Sequence, residues 1–538
     1  MNKIKGNGLF RKKNNEHRRS PQAENHEKEQ LNTYEQIPIA PELSVMLERI
    51  KTEMGNSADL AVRSIQPSGA DDERIAILYM QAMVDDIRLD QFVIGPIQSG
   101  AGESELSEDK ESFAFQRVQE VLLAVGIVEE LKTLKDLFEK LLLGYAVILM
   151  DGESKGLCAH VVGGMKRGIE EPKTEMAIRG PREGFTESIR INSMLVRRKI
   201  RSPKLWLEQQ TIGEYTQTPV AIMYIKGLAN ESVLTDLRER MKAIQIDGIL
   251  ESNYIEEMIE DQKWSPFPTI MNSERPDVVA ACLLEGRIAV MVDGSPFMII
   301  FPITLNTFFQ AAEDYYSSFH MATFLRMLRF VSFVIALLMP SVYVAIIGYH
   351  QEMIPTQLLL TLAAQREGVP FPAYLEAFIM EFVFEILREA VLRMPSAAGS
   401  AISIVGGLVI GQSVVEAGIV SSAVVIVVAF TAIASFVSPV YSLGMAARLL
   451  RFLLLIAAST LGFYGIALVV LMLLLHLSNI RSFGIPYLKP FAPFYWRDMK
   501  DSMMRVPIWM MRRRPTRAAK GNNVRQSTNM SSREEPSQ

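Results

Sequence analysis

The sequence predicts an α+β multidomain membrane protein: a cytoplasmic N-terminal region of two small α/β subdomains, then an α-helical transmembrane bundle, then a basic C-terminal tail. Three observations predict it. Charged and apolar residues intermix, as in soluble proteins, up to about Ala322. From Phe330 onward charges vanish over long windows, and the chain then runs into "RDMKDSMMRVPIWMMRRRPTRAAK". The net charge of -4 over 538 residues averages over this division and hides it.

Residues 1–40 are rich in Lys, Arg, Glu, Gln and Asn without apolar periodicity, the composition of a disordered, solvated tail. The first subdomain, 41–178, opens at "PELSVMLERIKTEM", where Leu43, Met46, Leu47 and Ile50 recur at helical spacing. Within it "ADDERIAILYMQAMVD" alternates and then runs apolar, "FAFQRVQEVLLAV" and "VEELKTLKDLFEKLLLG" read as amphipathic helices, and "YAVILMDGE" reads as a strand ending in a turn. In the second subdomain, 179–320, "PVAIMYIKG" reads as a strand and "NESVLTDLRERMKAI" as a capped helix. "GRIAVMVDGSPFMIIFP" reads as two strands about an Asp-Gly turn.

The transmembrane domain is expected over 324–480. Four windows lack Asp, Glu, Lys and Arg altogether: Phe330 to Gln351, Met394 to Val415, Ala417 to Ala447 and Phe452 to Ile480. A hydrocarbon core of roughly 30 Å needs about 20 apolar helical residues, which places spans near 325–348, 397–415, 418–438 and 449–477. The second contains several glycines just after Pro395 and reads either as a full span or as a re-entrant segment.

Between the first two spans lies an amphipathic helix, 373–394. At about 100° per residue, its Glu381, Glu385, Arg388 and Glu389 share one face, opposite Met380, Val383, Phe384, Leu387 and Val391. A lone charge at the bilayer centre costs several kcal/mol, so this face must meet water, the interface or partner charges. Glu385 with Arg388 and Glu389 with Arg393 are spaced to neutralise one another along the helix. In an oligomer, Glu381, Glu385 and Glu389 would instead form a candidate cation vestibule repeated around an axis. Downstream, Gly399, Ser403, Gly407 and Gly411 make a helix-packing stripe of small residues, and Ile404, Leu408 and Val415 are candidates for a dry pore constriction.

The N-terminal stretch lacks the apolar run of a signal peptide, and basic residues flank the apolar region at Arg326, Arg329 and Arg512 to Arg514. Both termini are therefore expected in the cytoplasm, with an even number of crossings and a basic cytoplasmic tail over 481–538. Arg448 and Arg451, between the last two spans, would then face outward, against that bias.

Two cysteines, Cys158 and Cys282, on the side expected inside, argue for reduced thiols, and six scattered histidines offer no metal spacing. No cofactor is expected. Phosphate-loop, nucleophile-elbow and dinucleotide motifs are absent, and "DGESKG", Asp151 to Gly156, reads as a turn. The acidic pairs Asp71–Asp72 and Asp85–Asp86 read as solvated, so the chain is not expected to be an enzyme. A secondary transporter is the competing class, because apolar segments broken by glycine bind substrate in such folds; the absence of repeated halves speaks against it.

Several segments carry a resemblance: "RGPREGFTESIRIN" (Arg179 to Asn192), "SPFPTIMNSERPD" (Ser265 to Asp277), "GRIAVMVDGSPF" (Gly286 to Phe297), "HQEMIPTQLLL…QREGVPFP" (His350 to Pro372) and "VGGLVIGQSVVEAGIVSS" (Val405 to Ser422). In this order they resemble the A subunits of GerA-type spore germinant receptors, from roughly residue 60 to residue 510. The resemblance implies a multi-pass protein of the endospore inner membrane with its large N-terminal region in the cytoplasm. It implies a permease-like B subunit that receives the nutrient, a lipoprotein C subunit, membrane lipid around a homo-oligomer, and a ligand-gated ion path acting in germination. Nucleic acid has no part in it. A branch of A-like sporulation membrane proteins shares these motifs and gives the alternative reading, a structural or accessory channel role.

Overall fold

The computed structural model describes residues 34–35, 37–66, 74–98, 115, 118–119, 128–163, 171–172, 175, 179–393, 411–515 and 524–525. The chain divides into two units, residues 1–52 with 60–164 and residues 53–59 with 165–538.

In the first unit α1 (Leu43–Glu53) buries Leu43, Met46 and Ile50, the stripe its spacing predicts. Among the described residues five strands follow: β1 (Leu60–Ile65), β2 (Ile75–Met80), β3 (Val128–Leu131), β4 (Ala146–Met150) and β5 (Gly156–Ala159). They pair antiparallel in the order β1-β2-β4-β5-β3. β4 lies between two strands and is buried along its whole length, hence an unbroken apolar run. The stretch "VEELKTLKDLFEKLLLG", expected to be one helix, divides: Val128–Leu131 is edge strand β3, and only α2 (Leu134–Leu142) is helical. Thr133 and Asp136 form a capping box that starts the helix there, each accepting from the other's backbone N–H. The expected helix over "FAFQRVQEVLLAV" lies almost wholly outside the described residues.

The second unit repeats the same strand order. Its strands are β6 (Leu205–Ile212), β7 (Thr218–Ile225), β8 (Met271–Ser273), β9 (Ile288–Val292) and β10 (Met298–Phe301), ordered β6-β7-β9-β10-β8, again antiparallel throughout. Around the sheet stand α3 (Ile189–Lys199), α4 (Glu231–Ala243), α5 (Ser252–Ile259) and α6 (Pro276–Leu284). The core joins Val220, Ile222, Leu234, Leu237, Ile255 and Val290. At Gly55, φ +65°, a Cβ would lie 2.0 Å from the Trp206 ring, so only glycine lets the backbone pass that indole.

Among the described residues, a short helical turn at Glu313–Tyr316 and seven longer helices follow in the same unit: α7 (Phe319–Tyr349), α8 (Thr356–Arg366), α9 (Ala373–Arg393), α10 (Gly411–Glu416), α11 (Ser422–Phe436), α12 (Tyr441–Leu461) and α13 (Phe463–Asn479). By length and composition α7 and α12 can each cross a membrane; α11 and α13 are shorter apolar helices. The window expected as a single span over 449–477 is two antiparallel helices. Gly462, φ +60°, turns the chain between them, and a Cβ there would lie 2.9 Å from His350 Cε1 and 3.0 Å from Tyr349 Cβ. Most of the span expected at 397–415 lies outside the described residues.

The C-terminal segment is also more than a tail. After α13, β11 (Arg481–Ser482) and β12 (Ile485–Pro486) form a small hairpin. Phe483 stacks on Phe301 of β10 with ring centroids 4.4 Å apart, the Ser482 hydroxyl donates to the Thr269 carbonyl at 2.8 Å, and Tyr487 is wholly buried. The sequence "SFGIPY" thus contributes Phe483 and Tyr487 to the buried part of the second unit, structure that the expected basic tail over 481–538 did not include.

Candidate functional site

Pairings at both ends fix the direction of each helix. At one end α7 leaves the β-sheet part of the unit and α13 returns to it, with His476 Nε2 2.9 Å from the Ser265 hydroxyl. At the other end Tyr349 OH donates to the Ser459 and Thr460 carbonyls, so α7 and α12 run in parallel. α9 runs antiparallel to α12, since Phe378 meets Phe452 at 5.5 Å whereas Arg388 lies over Tyr441, 6.0 Å from its ring centroid.

This arrangement builds a column of charge. Glu381 of α9 and Arg451 of α12 are both fully buried, with Arg451 Nη1 donating to Glu381 Oε2 at 2.5 Å. About one turn along, Arg448 Nη1 donates to Glu385 Oε2 at 3.2 Å, half-buried. Arg451 has a second task in α7. Pro340 has no N–H, which leaves the Ala336 carbonyl without its helical donor, and Arg451 Nε supplies one at 2.8 Å. One guanidinium thereby ties three helices together. The expected Glu385–Arg388 pair is not what forms: Arg388 lies instead over the Phe436 ring, 5.1 Å from its centroid. Glu389 and Arg393 do pair, exposed, at 2.6 Å. At the far end buried Glu376 accepts from the Ser421 backbone N–H at 2.8 Å and from Arg366 Nε at 3.3 Å.

Of the three vestibule candidates, therefore, Glu381 is buried and paired, Glu385 is half-buried and paired, and Glu389 alone is largely exposed. Arg448 and Arg451 lie within a helix rather than in an outward loop, which removes their conflict with the charge bias. Their role was unreadable because each partner sits more than 60 residues earlier, on another helix. Val415 is half-buried in the helical core, and a Cβ on Gly411 would touch Val425 at 3.8 Å. Gly399, Ser403, Ile404, Gly407 and Leu408 lie outside the described residues.

A second cluster lies where the sheet meets α7. Asp314, fully buried, accepts from Arg326 Nε at 2.8 Å and from Arg329 Nη1 at 2.8 and 2.9 Å. Arg326 Nη1 also donates to Asp501 at 2.7 Å, and Tyr315 OH donates to the same carboxylate at 2.7 Å. These two arginines, read as membrane-flanking charges, thus knit the first long helix to the short helix Glu313–Tyr316 before it and, through Arg326, to the C-terminal segment.

The neighbouring motif segments converge on one face. Phe185 N–H donates to the Glu274 carbonyl at 2.8 Å, Ile189 N–H to Asp293 Oδ1 at 3.0 Å, and Gly294 N–H to the Glu187 carbonyl at 2.7 Å. Arg275 forks onto Asp277 at 3.1 and 2.8 Å, and Tyr316 OH donates to Asp277 at 2.5 Å. Removing one partner of a buried pair costs about 3–5 kcal/mol.

The comparisons with known proteins fall on the same residues. The family model described as Bacillus/Clostridium GerA spore germination protein matches residues 48–517. Spore germination protein KA of Bacillus subtilis is 46% identical over 91% of this chain and 89% of its own length. The uncharacterized membrane protein YfkQ of the same organism is 49% identical over 70% of this chain and 74% of its own. A solved structure, the N-terminal domain of the A subunit of the Bacillus megaterium spore germinant receptor GerK3, is 37% identical, covers 49% of this chain and 96% of its own, and superposes with a TM-score of 0.40.

Proposed function

The chain belongs to the GerA family of spore germination proteins, and on that premise we propose that it is the A subunit of a nutrient germinant receptor, a multi-pass protein of the spore inner membrane acting in germination. Its two β-sheet regions, ahead of α7, lie in the cytoplasm. It works beside a permease-like B subunit, which receives the nutrient, and a lipoprotein C subunit, and it oligomerises around an ion-conducting path. The observation that carries this reading is the extent of the match, residues 48–517, which spans both units, the helices and the C-terminal segment.

The paired interior gives the reading a physical form. A charged column among apolar helices is tolerated in a membrane only because the charges meet one another, and Glu381–Arg451 with Glu385–Arg448 meet that condition. Within the protomer, α9 then acts as a crossing helix: its 21 residues make about 31 Å at 1.5 Å each, the thickness of a hydrocarbon core. Conduction is assigned to the segment between α9 and α11, with Leu408, Ile404 and Val415 as the dry constriction. Gly399, Ser403, Gly407 and Gly411 form the stripe on which a neighbouring helix packs. Glu389, the exposed carboxylate of the three, keeps a place at the mouth of the path.

A genetic test decides the receptor role. Spores lacking this chain, and spores carrying it with L408A, are exposed to nutrients while cation release and the abundance of the chain are followed together. The reading predicts no release to one class of nutrient in the first strain and release without nutrient in the second. Germination unaffected by the deletion for every nutrient tested contradicts it. The 49% identity to the uncharacterized membrane protein YfkQ keeps a second reading in play, an A-like sporulation membrane protein with a structural or accessory channel role; failure to co-purify any permease-like subunit selects that one.

A further inference from the structure

The C-terminal segment after the β11–β12 hairpin carries its apolar side chains outward. Trp496 is 76% exposed and Trp509 66%, and Phe494, Met504, Ile508 and Met510 stand in solvent with them. A soluble surface does not concentrate large apolar groups in this way without a partner. Four cations are exposed in the same stretch, Arg497, Lys500, Arg512 and Arg513, whereas its two acids are turned inward: Asp498 is buried and Asp501 is held by Arg326 and Tyr315. The exposed charge is therefore of one sign.

Position supplies the third observation. The segment is fastened to the first turns of α7, where Thr323 Oγ1 donates to the Arg505 carbonyl at 3.2 Å and receives the Arg505 N–H at 3.1 Å. The Trp509 ring meets Phe319 edge to face at 6.2 Å, and Phe491 meets Phe330 at 6.5 Å. α7 has 31 residues, about 46 Å, so it exceeds a hydrocarbon core of about 30 Å by several turns. Its first residues, with Met321 and Phe324 exposed, are the turns left over once that core is spanned. The apolar surface of α7 thus continues directly into that of the segment.

Aromatic rings with an apolar body and a polar edge settle at the membrane–water boundary, and clustered Lys and Arg beside them bind anionic headgroups. We propose that residues 494–513 form an interfacial collar that binds the anionic phospholipids of the leaflet facing the sheet-bearing unit, holding the foot of α7 at the bilayer surface. The proposal rests on the membrane reading given above and adds to it a surface and a headgroup chemistry. Trp and Met supply the contact with acyl chains, and the four exposed cations select phosphate carrying net negative charge.

The full chain in lipid nanodiscs tests this through its own tryptophans. Emission from Trp496 and Trp509 is the difference between the unmodified chain and W496F/W509F. One fifth of the lipid is replaced by brominated phosphatidylglycerol, or by the same fraction of brominated phosphatidylcholine. The collar predicts that the anionic lipid quenches this emission about twice as strongly as the zwitterionic one, and that replacing Arg497, Lys500, Arg512 and Arg513 by Gln makes the two equal. Equal quenching by both lipids in the unmodified chain overturns the proposal. So does no quenching by either, whether the rings prove open to a water-soluble quencher or shielded from it by a second copy or another protein. L471W, placed in the W496F/W509F background on the exposed middle of α13, separates the premises. If it is quenched while Trp496 and Trp509 are not, the collar alone fails; if it is not quenched, the membrane reading beneath it fails too.

Discussion

Replacing Glu381 by Gln keeps the shape of the side chain and removes its charge, leaving the Arg451 guanidinium buried without a counterion. Both groups are fully enclosed and their nearest atoms lie 2.5 Å apart. With about 4 Å between charge centres and an effective dielectric of about 20, the attraction lost is about 4 kcal/mol. The amide retains one hydrogen bond, which returns about 1 kcal/mol. The expected loss is therefore about 3 kcal/mol, within the range measured when one member of a buried pair is removed. E381L/R451M removes both charges with similar volume and should recover to within about 1 kcal/mol of the unmodified chain. The residual cost is the Ala336 carbonyl, which again lacks a donor. Unfolding in mixed micelles at 25 °C, with the two single variants and the double, gives the coupling energy. Losses below about 0.5 kcal/mol in both single variants would mean that water already reaches the pair. That result would refute the sealed column and restore Glu381 to the vestibule.

Three further outcomes follow from the second unit. G55A forces a Cβ against the Trp206 ring at a positive φ and should cost at least about 2 kcal/mol in thermal unfolding of the full chain. F483A removes a ring stacked on Phe301 and should lose about 3–5 kcal/mol; a solvated tail would lose nothing. Burial, with Glu260, Glu251 and Glu257 nearby, pushes the Glu256 carboxyl up to about 7. Its folded pKa lies above its unfolded one near 4.3, so its ionisation removes stability as pH rises from about 4.5 to 7. E256Q should therefore raise the melting temperature at pH 8 and leave it nearly unchanged at pH 4.5; an equal gain at both would deny the linkage.

The strands buried between neighbours, β4, β7 and β9, were legible because burial on both faces demands an unbroken apolar run. Edge strand β3 was not: "VEEL" alternates too briefly to outweigh the helical pattern that follows, and only the Thr133–Asp136 box marks the boundary. The break at Gly462 was hidden by composition, since a hairpin of two apolar helices and one long span share the same absence of charge. Its trace in the sequence was length, because 452–480 exceeds what one crossing needs. The charged face of α9 was visible, and so was the requirement that it meet water or partners. Which partners it meets depends on helices packing side by side, and spacing along α9 could suggest only Arg388 and Arg393. Phe483 and Tyr487 carried a usable signal, aromatic residues in a stretch otherwise read by its charge alone.

Reconstitution tests the central claim most directly: the chain is placed in liposomes with the permease-like and lipoprotein subunits proposed as its partners, and particle mass is measured beside monovalent-cation efflux on addition of nutrient. The account predicts a complex holding several copies of this chain and nutrient-dependent efflux, which L408A makes independent of nutrient at equal complex abundance. An assembled complex that passes no cations with nutrient present, or flux per complex unchanged by L408A, would contradict it.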